Sequence, residues 1–261
     1  MTQPERIDPR EQFNRQAAHY DRQWNDWNQE SLNWILDRAG FTGSERVLDV
    51  ATGGGFTALA CAPRAAEVTA LDVATAMLEQ GRRRAEELGL ANMRFVEGAA
   101  ESLPFPDESF DVLTCRIAPH HFHDVDAFAR ESRRVLRGGG RFLLADSTVP
   151  DQDPAAGRWQ NGVELLRDPS HHRNLTPSEW RAVVEAAGLN VLAVEATGGG
   201  ITIPITDWLR KSGCTGERAD EVRRRFAEAP PEAVHHFQIH TDAQGETVFT
   251  WQRVLLLAVR E

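Results

Sequence analysis

Lysine is almost missing from this chain: of 29 basic residues in 261, only Lys211 is a lysine. A P-loop needs Gly-Lys-Ser/Thr directly after a strand. Here the glycine run Gly53-Gly54-Gly55 is followed by Phe56 and Thr57, and Lys211 lies in WLRKSG with no strand-glycine pattern before it. The P-loop is thereby excluded, and lysine Schiff-base chemistry loses its support. Tyrosine is equally scarce, with Tyr20 alone. The three cysteines, Cys61, Cys115 and Cys214, form no CxxC pair and are odd in number. That disfavours a disulfide frame or a zinc site and fits a reducing cytoplasm. No apolar run approaches the roughly 18 residues that span a bilayer. The N-terminal MTQPERIDPR lacks the apolar core of a signal peptide, so a cytoplasmic location without a membrane span is expected. Positive charge is also in deficit, 29 basic against 39 acidic residues for a net −10. A nucleic-acid or anionic-membrane partner needs a basic surface, so neither is expected.

What is present is ordinary for a soluble globular protein, with 41% hydrophobic and 26% charged residues. Residues 10–39 read as helical, with Tyr20, Trp24, Trp27, Ser31 and Trp34 recurring on one face. Strands and helices then alternate. Strands are expected at 46–51, 67–72, 93–97, 110–115 and 141–146, and helices at 56–62, 75–88 and 125–136. Thr176-Pro-Ser-Glu179 matches a capping box with proline at the first helical position, which starts a helix running to Gly188. A strand over 191–196 and helices over 204–211 and 218–229 follow. The segments 234–241 and 248–259 read as strands joined by DAQGE in a final antiparallel hairpin. The alternation predicts an α/β, doubly wound, mostly parallel sheet with helices on both faces.

Ligands of such sheets sit beyond the carboxyl ends of the strands at the switch point. The glycine turn of VLDVATGGGFTAL leaves the first strand there. Asp72 ends the second strand, 72 − 53 = 19 residues after the first glycine, where an acid accepts ribose hydroxyls. Gly53-x-Gly55-x-x-Ala58 also fits a loose dinucleotide pattern. The turn alone therefore leaves a dinucleotide and a phosphate-free nucleoside cofactor both open, and Asp72 has the plainer reading of a strand-end residue.

From Val47 to Asp146 the chain resembles the class I S-adenosylmethionine-dependent methyltransferases. The resemblance is carried by VLDVATGGG, VTALDVATAML, EGAAESLPFPDESFDVLTCR and SRRVLRGGGRFLLAD in order. CRIAPHHFHDV and LLRDPSHHRNLTPSEW are similar to stretches of the quinone C-methyltransferase-like branch (methyltransferase type 11). The resemblance implies seven strands with an antiparallel last strand, and S-adenosyl-L-methionine as cofactor, with S-adenosyl-L-homocysteine as product. It implies methyl transfer to C, O or N of a small-molecule acceptor. It further implies an N-terminal helical cap over residues 1–40 and a Rossmann-like domain over 41–261, with substrate-cover insertions around 150–180 and 198–232. The rival readings are a nicotinamide-dependent oxidoreductase, which expects a Tyr or Lys proton donor, and a cofactor-binding protein without turnover. Oligomeric state, monomer or homodimer, stays open.

The implied cofactor set is Asp49 near the ammonium, the turn residues Ala51, Gly53, Gly54 and Gly55, and Asp72 on the ribose. Val73 and Met77 would pack on the adenine, with Ala99, Ala100 and Arg116 completing the wall. Two positions depart from the family pattern: its first glycine is Ala51, and the usual Asp or Asn after Gly98 is Ala99. For catalysis, His121 and then His120 are the candidate bases, since histidine accepts a proton near neutral pH and this loop opens beside the expected methyl group. A histidine cluster is also what loop packing or a helix cap with Asp124 would give. Arg167 and His171 are candidates for an acceptor oxygen, against the plainer reading of a basic helix C-terminus. Tyr20 and Trp24 are candidate substrate residues on a stripe that otherwise reads as core. His235, His236 and His240 show no converging carboxylate or thiolate, so no metal is expected.

Overall fold

The computed structural model describes residues 6–17, 28–197 and 202–261. Among them the strands in chain order are β1 (Arg46–Val50), β2 (Glu67–Asp72), β3 (Met93–Glu97), β4 (Phe110–Arg116) and β5 (Leu136–Ser147). They continue with β6 (Asn190–Thr197), β7 (Ile203–Pro204), β8 (His240–Thr241), β9 (Thr247–Phe249) and β10 (Arg253–Val259). The helices are α1 (Pro9–Gln16), α2 (Gln29–Arg38), α3 (Phe56–Cys61), α4 (Thr75–Glu87) and α5 (Val125–Val135). After these come α6 (Pro154–Arg167), α7 (Pro177–Ala186), α8 (Ile205–Lys211), α9 (Gly216–Ala227) and α10 (Pro231–His236).

Seven strands form one sheet in the order β3-β2-β1-β4-β5-β10-β6. All pairs are parallel except those of β10, which runs antiparallel to both β5 and β6. Strands such as Val-Leu-Asp-Val and Phe-Leu-Leu-Ala are apolar at nearly every position because both sheet faces are covered. On one face Phe128 of α5 and Trp180 of α7 pack on Leu48, Leu113 and Phe142. On the other, Ile35 of α2 and Cys61 of α3 pack on Val47, Val112 and Leu143. Burying one such large apolar side chain contributes about 1.5–3 kcal/mol, so the helices are held where their apolar stripes meet the sheet. The expected seven-stranded, doubly wound sheet with an antiparallel last strand is the observed one.

Four expectations are corrected. Residues 231–236 form α10 where a strand over 234–241 was expected; Pro231 at the first helical position starts it, and Phe237 just after it is fully buried. The run 248–259 is two strands, because the chain leaves one sheet at Phe249 and enters another at Arg253. The DAQGE turn does join an antiparallel hairpin, but β8 and β9 belong to a small sheet β7-β9-β8 and not to the main one. The single helix expected over 10–39 does not run through, since Asn28 just before α2 has a non-helical backbone (φ −122°, ψ 18°), and Tyr20, Trp24 and Trp27 lie outside the described residues.

A third core sits apart from the sheet. Trp208 of α8, Phe226 of α9, Phe237, Phe249 and Trp251 pack together with Val163 of α6. Their rings meet edge to face, Phe237 to Trp251 at 4.9 Å and Trp208 to Phe249 at 5.1 Å, the arrangement aromatic quadrupoles favour.

Candidate active site

β1 and β4 are neighbours whose following segments part, which is the switch point of the sheet. After β1 the chain makes a tight turn, with Thr52 N–H donating to Leu71 O and Gly55 N–H to Thr52 O, each at 2.9 Å. Ala51, Gly53 and Gly55 have φ of 52°, 53° and 84°. A Cβ on Gly55 would lie 3.3 Å from Gly81 Cα, so glycine at both places lets α4 settle on the turn.

Asp72 braces this turn. Its Oδ2 accepts from Gly53 N–H and its Oδ1 from Ala74 N–H, both at 2.8 Å. Burial raises its pKa against those hydrogen bonds. Each carboxylate oxygen has further acceptor capacity, so the side chain can take hydroxyl groups while it braces the turn. Asp49 is buried beneath, accepting from Thr114 Oγ1 and Thr52 Oγ1 at 2.6 Å. Burial pushes its pKa up to about 6, opposed by those two hydroxyls and by the charge of Arg116. Arg116 donates to Thr57 Oγ1 (2.9 Å) and to Asn28 O (3.2 Å).

These groups border a cavity of about 340 Å³, within the roughly 300–1,000 Å³ of small-molecule sites. Asp49, Ala51 and Gly53 line it from β1, and Asp72 and Val73 from β2. Ala99 and Ala100 line it after β3, and Arg116 and His121 after β4. The remaining expected cofactor residues do not reach it. Gly54 instead accepts from Arg84 Nη1 at 2.8 Å, Gly55 caps α3, and Met77 is fully buried against Phe13, Ala17 and Ala74. Phe13 and Arg10 of α1 close one side, with Arg10 paired to Glu97 at 2.9 Å. Asn14 Oδ1 accepts from Ala76 N–H at 3.0 Å, tying α1 to the start of α4.

A smaller cavity of about 50 Å³ adjoins the first, and Phe13, Ile117 and His121 line both. His120, Glu164, Arg167, His171 and Arg253 line the smaller one. His120, His121 and His171 cluster here, with ring centroids 4.2 Å (120–121), 5.6 Å (120–171) and 6.4 Å (121–171) apart. His120 Nδ1 lies 2.6 Å from Asp146 Oδ1. Burial opposes its charge, yet the Asp146 charge and hydrogen bond outweigh burial and hold its pKa above the usual value. Burial and then the neighbouring His120 lower His121 to about 4. Burial and both neighbouring histidines hold His171 well below the usual range. His171 Nε2 meets Asn161 Oδ1 at 3.0 Å, and its Nδ1 has no partner. Arg167 is the last residue of α6, pairs with Glu164 at 2.9 Å, and stacks 4.5 Å from the Trp208 ring centroid.

His236 pairs with Asp153 at 3.3 Å and His240 Nδ1 meets Gln238 O, both away from the two cavities. Lys211 lines neither cavity. Trp34 is buried in the core beneath α2. Several site residues escaped the sequence reading. Asp146 ends the quoted motif SRRVLRGGGRFLLAD, and that strand-end position was the available signal. Asp168 and Ser170 lie inside the quoted RDPSHHR, but only the fold brings them to His121. Glu164 rides on α6, whose start signal was Asp153 followed by Pro154.

Comparison with known proteins agrees with this geometry. Residues 48–144 match the family described as "Methyltransferase domain". The uncharacterized methyltransferase YcgJ of Bacillus subtilis is 37% identical over 232 residues, covering 88% of this chain and 90% of that protein. Its crystal structure superposes with a TM-score of 0.82 over 89% of this chain and 99% of that one, at 36% identity. The structure of a putative methyltransferase from Bacillus halodurans gives 0.83 at 35% identity, over 88% of this chain and 99% of that one. The ubiquinone/menaquinone biosynthesis C-methyltransferase UbiE of Brucella anthropi is 32% identical over 205 residues, 70% of this chain and 76% of that protein. Motifs, sheet order and relatives converge, and the chain belongs to the class I S-adenosylmethionine-dependent methyltransferases.

Proposed function

We propose that the larger cavity holds S-adenosylmethionine and that the smaller one receives the reacting end of a small-molecule acceptor, with His121 between them as the proton acceptor. The observation that carries this reading is that His121 lines both cavities and is held neutral by burial. When bound, the cofactor supplies a methyl group already activated on a sulfonium. Asp72 accepts the ribose hydroxyls, Asp49 lends negative charge toward the ammonium, and Val73, Ala99 and Ala100 form the adenine wall. Arg116 orders the floor through Thr57 and Asn28. The fit is supported by the acceptor capacity of Asp72 and by a cavity of the right size that needs no phosphate-binding lysine.

The protein's share of the chemistry is alignment, exclusion of water and removal of a proton. In-line alignment of two reactants contributes several kcal/mol. An acceptor that must shed a proton, such as an aromatic carbon or a phenol, gives it to His121, while the Asp146 carboxylate favours the charged form of the neighbouring His120. Arg167 and His171 stand ready to bind an acceptor oxygen. The similarity to a quinone C-methyltransferase supports an aromatic acceptor. Residues 1–40 serve as a cap over the cofactor, and the third core, built from α6 and residues 203–251, serves as the substrate cover. Tyr20 and Trp24 keep their proposed substrate role, outside the described residues. Three free, buried cysteines support a reducing, cytoplasmic setting. No helix of the described residues is long and apolar enough to cross a membrane.

A radiolabelled-methyl assay across phenolic and hydroquinone acceptors tests this reading. His121→Ala is expected to keep cofactor binding and to lose about 10²–10⁴-fold in turnover. In the parent, a histidine depressed to about 4 stays unprotonated, so turnover stays level as pH falls from 7 through the ordinary histidine range. Groups facing the ring are His120, His171, Asp168 and Asp146. Unchanged turnover in the variant removes the base.

A further inference from the structure

Three side chains stand in a row beside the smaller cavity, which the outer two, His121 and Asp168, line. Ser170 Oγ lies 2.6 Å from Asp168 Oδ1 and 3.1 Å from His121 Nδ1. The serine hydroxyl has one hydrogen to give. A hydroxyl and a carboxylate oxygen at 2.6 Å repel unless that hydrogen lies between them, and a charge-assisted bond of this length is the stronger of the two choices. The hydrogen therefore goes to Asp168, and Ser170 turns a lone pair toward His121. For the 3.1 Å contact to be attractive, Nδ1 must carry the ring hydrogen. In a neutral imidazole the other nitrogen, Nε2, is then bare.

We propose that Ser170 and Asp168 are positioning residues, which fix His121 in its Nδ1–H tautomer and leave Nε2 as the nitrogen that takes the proton. The catalytic meaning of this arrangement rests on His121 being the base, whereas the arrangement itself does not. The surroundings keep the row in place. Asp168 Oδ1 also accepts from Ser170 N–H at 3.0 Å, and Asp168 and Ser170 are both buried. Asp168 sits below the usual carboxylate range although burial opposes this, because the Arg167 charge and the two Ser170 bonds favour its charged form. The loop carrying them is pinned from two sides. Ile7 N–H donates to Pro169 O at 3.2 Å, and His172 and Arg173 N–H donate to His120 O at 2.7 and 3.0 Å. The adjacent His120 uses a different device, a direct Asp146 carboxylate at 2.6 Å, whose charge and hydrogen bond outweigh burial and hold its pKa above the usual value. Two neighbouring histidines whose surroundings drive their pKa values apart are how a site separates an acid from a base.

The test is a long-range proton–nitrogen spectrum of histidine-labelled protein saturated with S-adenosylhomocysteine, with the His121 signals assigned by their loss in His121→Gln. The parent is expected to show a hydrogen on Nδ1 and none on Nε2. Ser170→Ala should lower the Nδ1–H population, and Ser170→Thr should restore it. A parent signal with the hydrogen on Nε2 overturns the inference without any variant, as does an unchanged tautomer in Ser170→Ala. Loss of the base reading, by contrast, shows up only as unchanged turnover in His121→Ala.

Discussion

Ala51 carries a φ of 52° directly after β1, in the left-handed region that costs a residue with a Cβ roughly 1–2 kcal/mol. The broad family pattern has glycine at this position, where the quinone C-methyltransferase-like branch often carries alanine. Ala51→Gly relieves the strain, while glycine's greater unfolded-state freedom takes back about 0.4–1 kcal/mol. The net expectation is a gain of about 0.5–1 kcal/mol, read as a higher urea midpoint with an unchanged slope; an unmoved or lower midpoint means that the turn already tolerates alanine. At this scale the sequence exposed the residues whose place follows from strand register. Asp49 inside β1, Asp72 at the end of β2 and the histidine loop after β4 all lie on cavity walls. It did not expose partners joined only by the fold, such as Asp146 with His120 or Ser170 with His121. Met77 shows the converse. Its helical position beside Val73 suggested an adenine contact, yet its side chain turns toward Phe13 and Ala17 because α1 packs there.

At the scale of elements, capping chemistry was the most faithful signal. Thr176 and Glu179 form both halves of the capping box, with Thr176 N–H donating to Glu179 Oε2 at 2.8 Å and Glu179 N–H to Thr176 Oγ1 at 3.2 Å. Thr176→Ala should therefore cost about 1 kcal/mol, seen as a lower melting temperature with no change in cofactor affinity, since α7 packs behind the sheet. A melting temperature equal to the parent's would mean that tertiary packing alone fixes this helix end. Alternation by itself does not separate strand from helix in the C-terminal third of the chain. VHHFQIH alternates like a strand, but Pro231 starts a helix and the aromatic core claims Phe237. VFTWQRVLLLAV reads as one apolar run because both of its strands are buried, and nothing local marks the change of sheet at Trp251 and Gln252. α6 carries a clear start in Asp153 and Pro154, with the aspartate accepting from Ala155 and Ala156 N–H at 3.1 Å. Its apolar stripe faces the third core and not the sheet, so the alternating rhythm of strand and helix did not call for it.

Across the whole molecule, sheet topology accounts for where chemistry happens. Reversal of strand order between β1 and β4 opens one crevice, and every chain segment that leaves it contributes a wall. The third core, held by rings and not by the sheet, stands over the histidine cluster through Trp208 and Trp251. In the proposed function the turn after β1 and the carboxylate closing β2 together hold an adenosyl cofactor. Calorimetric titration with S-adenosylhomocysteine tests it most directly. The parent is expected to bind one equivalent, and an Asp72→Ala variant that still unfolds cooperatively is expected to show no detectable binding; parent-like affinity in that folded variant would mean that Asp72 does not hold the adenosyl group.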